Sequence, residues 1–141
     1  MILPDVNVLL YAFRRDSARH DEYHAWLEEV VNGDAAYGMS PQVLSGLVRI
    51  CTHRRIYVHP SPTAEALTFC EALLQPQHCR MVHPGPRHWG IFTDLCQRSR
   101  ATGNLVQDAW FAALAIESGC EWMTTDRDYA RFPGLRWREP L

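Results

Sequence analysis

Lysine is missing from this chain; all 14 basic residues are arginine. Arg presents a planar fork that grips phosphate through two hydrogen bonds. A genome that favours Arg codons would leave the same pattern, and both readings stand. Against 16 acids the net charge is -2, so no global field draws nucleic acid. The pairs Arg14-Arg15 and Arg54-Arg55 can still form local basic patches. No apolar run approaches the ~18 residues of a membrane span. The first residues lack a basic stretch followed by an apolar run and a cleavage site, so a cytoplasmic location is expected. No Cys-x-x-Cys occurs among Cys51, Cys70, Cys79, Cys96 and Cys120, which excludes a zinc knuckle or redox pair of that kind. The five cysteines are expected to be reduced, apolar fillers. Neither G-x-G-x-x-G nor a P-loop is present, which argues against a nucleotide or flavin binder.

What is present reads as alternating strands and helices. At 141 residues a single domain over 1–141 is expected. Met1-Ile2-Leu3 predicts a short buried strand, with Pro4 at its end because proline lacks an N–H. The apolar stretch 6–13 predicts a first helix or turn. Tyr23, Trp26, Leu27, Val30 and Val31 recur at helical spacing over 20–31, and Asn32-Gly33-Asp34 stops that helix. A second strand is predicted over 36–39. Ser40-Pro41 predicts an N-cap and first helical residue, and Ser61-Pro62 predicts the same device for a helix to about Leu74. A weak strand over 80–83 precedes a helix over 86–100 with Trp89, Phe92 and Cys96 on one face. Gly103-Asn104 stops it and caps the next, which runs to Gly119. Strands follow over 122–124 and 135–137. This order predicts an α/β fold: three layers, α/β/α, around a mostly parallel sheet of four to five short strands.

Three acids are placed to meet. Asp5 follows the first strand, Asp126 follows a later one, and Asp108 lies near the start of an alanine-rich helix that can approach the sheet closely. In open α/β sheets the C-terminal edge of the strands is where ligands bind. Carboxylates gathered there repel one another, and Mg²⁺ or Mn²⁺ relieves that repulsion. Each acid also has a plain reading: Asp5 as a turn cap, Asp108 as a partner of the helix dipole, Asp126 and Asp128 as N-cap residues.

The chain resembles the PIN-domain ribonucleases, of the VapC toxin type found in bacterial toxin–antitoxin pairs. The resemblance is carried by DVNVLLYAF (5–13), SPQVLSGLVRICTHRRI (40–56), PGPRHW (84–89), GNLVQDAWFAALAIESGC (103–120) and TTDRDYARFPGLRWREPL (124–141). It implies a metal-dependent endoribonuclease with Asp5, Asp108 and Asp126 as catalytic metal ligands for Mg²⁺ or Mn²⁺. Asn7, Thr125 and Asp128 match supporting positions; local turn hydrogen bonds are the other reading of Asn7 and Thr125. Arg14, Arg15 and Arg49 are candidates for RNA phosphate contact, set against surface ion pairs. The resemblance further implies an RNA substrate, a homodimer and a VapB-type antitoxin whose neutralising segment meets a groove that Tyr11, Phe13 and Trp26 could help form. One departure matters. The family has a Glu in a pattern like L-A-E-x-x-R, and Gly46 stands in its place here. A binding module that is catalytically weak or silent is therefore the alternative. His20 and His24, four apart in HDEYH, have the spacing of a zinc pair, but no third ligand suggests itself and a solvated first turn is the reading adopted.

Overall fold

The computed structural model covers residues 1–141. Five strands are β1 (Ile2–Pro4), β2 (Tyr37–Met39), β3 (Cys79–Met81), β4 (Glu121–Met123) and β5 (Trp137–Arg138). Six helices are α1 (Val6–Phe13), α2 (His20–Asn32), α3 (Pro41–Cys51), α4 (Thr63–Leu74), α5 (His88–Ser99) and α6 (Asn104–Ser118), and a 3₁₀ turn spans Arg127–Arg131. The sheet order is β3-β2-β1-β4-β5, and every pairing is parallel. The expected α/β architecture is therefore present.

Topology follows from handedness. The chain steps from β1 outward to β2 and β3, then jumps back past β1 to β4. Right-handed crossovers put the helices of the outward steps on one face and those of the return on the other. The packing agrees: α1 contacts α2 and α3, α3 contacts α4, and α5 packs with α6. The change of direction makes a crevice between the C-terminal ends of β1 and β4, where ligands bind in such sheets.

Local chemistry explains most boundaries. The Ser40 hydroxyl accepts from the Gln42 and Val43 amides at 3.2 and 3.4 Å, ahead of Pro41 at the first helical position. Gly119 ends α6 in the left-handed region at φ 70°. Ala109, Ala112, Ala113 and Ala115 are fully buried, so α6 lies close on the sheet. One core cluster of 25 buried residues runs from Leu3 to Phe132.

Several local expectations are corrected. Ser61 does not cap α4; Pro62 stands at that position without a side-chain bond, and the Ser61 hydroxyl instead accepts from Arg14. Gly103, not Asn104, is the cap of α6. Helix α5 starts at His88 because Glu117 holds the preceding segment, its two carboxylate oxygens accepting from the Gly85 and Arg87 amides at 2.6 and 2.8 Å. Trp89 is 69% exposed, whereas His88 is the buried residue and hydrogen bonds through Nε2 to the Trp110 carbonyl at 2.9 Å. A carbonyl only accepts, so Nε2 of His88 carries the proton.

Candidate active site at the β1/β4 edge

Asp5 leaves the end of β1 with its amide donating to the Met123 carbonyl of β4 at 2.9 Å. It is 7% exposed. Its Oδ1 accepts from the Val6 amide at 2.7 Å, so it caps α1, and its Oδ2 accepts from the Thr124 hydroxyl at 2.7 Å. Thr124, immediately beyond β4, is fully buried. Its single proton is committed to Asp5. The same oxygen then accepts from the Asp126 amide at 3.1 Å and from Asn7 Nδ2 at 3.3 Å. That commitment fixes the Asn7 amide: only its NH₂ can face Thr124. Asn7 Oδ1 is left buried without a partner. Burying a polar oxygen in this way costs about 1–3 kcal/mol unless something donates to it or coordinates it.

Asp126 caps the 3₁₀ turn, its Oδ1 accepting from the Asp128 amide at 2.9 Å. Asp108, one turn into α6 and half-buried, accepts at Oδ1 from the Tyr129 hydroxyl at 3.4 Å. These groups feel one another. Burial is the first cause that pushes Asp5 up to about 6, and the charges of Asp108 and Asp126 add to it. Asp108 also rises to about 6, first by burial and then by the charges of Asp126 and Asp128. Buried carboxyls that repel each other exact a cost in an isolated chain and suit a cation.

The donor set fits a hard divalent ion. It offers carboxylate oxygens from three elements and the orphaned Asn7 Oδ1. As the side chains stand, no three His, Cys, Asp or Glu residues close on one metal position. That suits Mg²⁺, which keeps several waters and uses one or two carboxylates directly. Gly46 faces the same region: a Cβ there would stand 3.1 Å from Val6 Cγ2, beside the Asp5 cap. Val6 occupies the space next to the bare backbone.

Other candidates separate from the cluster. Thr125 is half-buried and makes no side-chain hydrogen bond; the hydroxyl at this edge belongs to Thr124. Asp128 is exposed and faces Arg131 Nε at 3.8 Å. Arg14 is corrected from a surface phosphate contact to a buried strut. It bonds Asp16, the His59 carbonyl at 2.8 Å and the Ser61 hydroxyl at 3.0 Å, with its guanidinium 3.7 Å from the Tyr57 ring centre. Arg15 and Arg49 are exposed and lack ion-pair partners. Tyr11 and Trp26 pack against the core cluster, and Phe13 lies on Phe69 at 4.8 Å. His20 and His24 turn Nδ1 toward the Tyr11 and Ala12 carbonyls at 2.8 and 3.3 Å, which ties α2 to the end of α1. They line a cavity of about 760 Å³ at the far end of α1 from Asp5. Sequence reasoning missed Thr124 and Tyr129; the repeated threonine in TTD was the one signal for the first, and nothing local marked the second.

The model of the PIN domain matches residues 2–135. Ribonuclease VapC43 of Mycobacterium tuberculosis is 40% identical over 141 residues, 100% of this chain and 96% of the relative. The chain belongs to the PIN-domain family, among its VapC ribonucleases. Ribonuclease VapC31 of the same organism is 38% identical over 140 residues, 99% of each chain. Among solved structures, VapBC2 from Rickettsia felis, bound to a DNA fragment from its promoter, aligns with a TM-score of 0.71 at 17% identity, covering 99% of this chain and 98% of that one. The M. tuberculosis toxin VapC20, which cleaves the sarcin-ricin loop, aligns at 0.65 and 16% identity over 96% and 99%. Both share this PIN fold.

Proposed function

We propose that this PIN domain is an endoribonuclease toxin that hydrolyses RNA phosphodiester bonds at the β1/β4 edge, with Asp5, Asp108 and Asp126 holding Mg²⁺ or Mn²⁺. The observation that carries this is the mutually repelling group of buried Asp5 with half-buried Asp108 and Asp126 at the switch point of the sheet. When bound, such an ion polarises the phosphodiester and makes an adjacent water a better nucleophile. The chain's own residues do the positioning. Thr124 and the Val6 amide hold both Asp5 oxygens, which leaves their remaining lone pairs aimed in a fixed direction. Asn7 Oδ1, buried beside Asp5 without a partner, has an acceptor lone pair left for the ion or its ligand sphere. In-line attack on phosphorus breaks the bond to the 3′ oxygen, giving a 5′-phosphate and a 3′-hydroxyl. Arg15 and Arg49, exposed and without ion-pair partners, are available for the phosphates of the RNA.

The silent-module alternative rests on Gly46 alone. Relatives about 40% identical over the full chain carry the name ribonuclease, which favours cleavage. By the same kinship the partner is a VapB-type antitoxin, as VapBC2 has, and we place the protein in the cytoplasm as a homodimer. No helix is long and apolar enough to cross a membrane.

The test is cleavage of a structured RNA with Mn²⁺, with Mg²⁺ and with chelator. Asp108→Asn should cost at least about 100-fold, the upper end of what losing even a supporting residue costs. Cleavage by Asp108→Asn equal to wild type, or cleavage undiminished by chelator, sinks the proposal.

A further inference from the structure

Tyr129 is the one side-chain donor to Asp108. Its ring is fixed by core packing, 5.5 Å from Trp122 at 50° and 5.8 Å from Phe132 at 65°. The residue is 1% exposed. With the ring locked, the hydroxyl has one address, 3.4 Å from Asp108 Oδ1. A carboxylate has no proton to give, so the phenol donates. The 3₁₀ turn that presents Tyr129 is capped by Asp126. The turn and its cap residue therefore carry both an acid of the cluster and the clasp on another acid that comes from α6.

We infer that Tyr129 is a positioning residue that holds the Asp108 carboxylate in its ion-binding orientation, a role that rests on the divalent-ion reading given above. The clasp engages Oδ1 and leaves the rest of the carboxylate's lone pairs for an ion. Without the hydroxyl, the side chain can rotate and the orientation must be found at the moment of binding. Hydrogen-bond donors that orient a metal-binding side chain in this way are worth 10- to 100-fold in metal affinity or activity.

The experiment is Mn²⁺ titration of the full chain by calorimetry, with Tyr129→Phe, Asp108→Asn and the double variant. Tyr129→Phe keeps the ring and its contacts and removes one oxygen, so the melting temperature should stay within a few degrees of wild type. Its Mn²⁺ affinity should fall about tenfold. For RNA cleavage, kcat should fall by a similar factor while KM holds. In the Asp108→Asn background, adding Tyr129→Phe should change affinity less than twofold, since the clasp has lost its carboxylate. Unchanged Mn²⁺ affinity in Tyr129→Phe overturns the role of Tyr129 and leaves the nuclease reading intact. An undiminished tenfold loss in the Asp108→Asn background overturns the route through Asp108. A wild-type chain that binds no Mn²⁺ overturns the ion reading itself.

Discussion

Gly46 and Val6 meet at the place where the relatives of this chain are expected to carry a fourth acid. Glycine inside a helix costs roughly 0.5–1 kcal/mol relative to alanine. Here a Cβ would sit 3.1 Å from Val6 Cγ2, tight enough that the valine must shift. The two terms oppose each other. Gly46→Ala alone should therefore change stability by less than about 1 kcal/mol, whereas in a Val6→Ala background it should stabilise by up to about 1 kcal/mol. A double-mutant cycle by urea unfolding measures this; equal effects in both backgrounds would mean that Val6 does not set the space at position 46. Asp5 and Asp108 make a second prediction. Both rise in the fold to about 6 from an ordinary 3.8. Between those values the folded chain binds more protons than the unfolded one, so ion-free stability falls as pH rises through that window. The contribution is complete below about pH 4 and gone above about pH 6. In chelator, the stability of wild type minus that of Asp108→Asn should decline from pH 4 to pH 6.5; a flat or rising difference would mean that the two carboxyls do not burden the fold.

At the scale of elements, Arg14 shows how a side chain that reads as surface charge becomes a structural part. It ends α1, and its guanidinium reaches the 53–61 loop through the His59 carbonyl, the Ser61 hydroxyl and the Tyr57 ring. Hydrogen bonds to a charged group contribute about 1.5–3 kcal/mol when buried. Arg14→Ala should destabilise by about 2 kcal/mol and leave the salt dependence of RNA binding unchanged. Arg15→Ala should do the reverse, lowering the salt slope by about 1 with little loss of stability. Salt-dependent binding curves and melts of the two variants separate the roles, and a lowered slope in Arg14→Ala would restore it to the RNA surface. The same scale explains what the sequence did not disclose. Ser40-Pro41 and Ser61-Pro62 are the same dipeptide, yet only the first caps its helix. Ser61 was diverted by Arg14, which is distant in sequence. Trp89 does share a face with Phe92, their rings 5.3 Å apart, but it is His88 that is buried, at a helix start where the Glu117 carboxylate of α6 holds the Gly85 and Arg87 amides. Thr124 rather than Thr125 reaches the carboxylates because neighbouring residues beyond a strand point to opposite sides, and a shift of one reverses the outcome.

For the whole molecule, the site depends on strand order. Ion removal should act at this scale as well: if the proposed site binds Mg²⁺ or Mn²⁺ only when folded, excess ion should raise the melting temperature by mass action and chelator should reverse it. The alternation of short apolar strands with amphipathic helices was legible in the chain, and so was the consequence that residues following parallel strands share one edge. Proline, serine and glycine marked many of the boundaries through properties local to each residue. The placement of β4 beside β1 was not legible. It comes from the return crossover past β2 and β1, whose free energy lies in contacts between distant segments such as Asp5 and Thr124, 119 residues apart. Local sequence therefore determined which residues stand at the edge. Only the tertiary fold decided which of them touch, that Thr124 and Tyr129 are the hydroxyls between the acids, and that Val6 fills the space beside Gly46, because those contacts are made by burial and packing between elements distant along the chain.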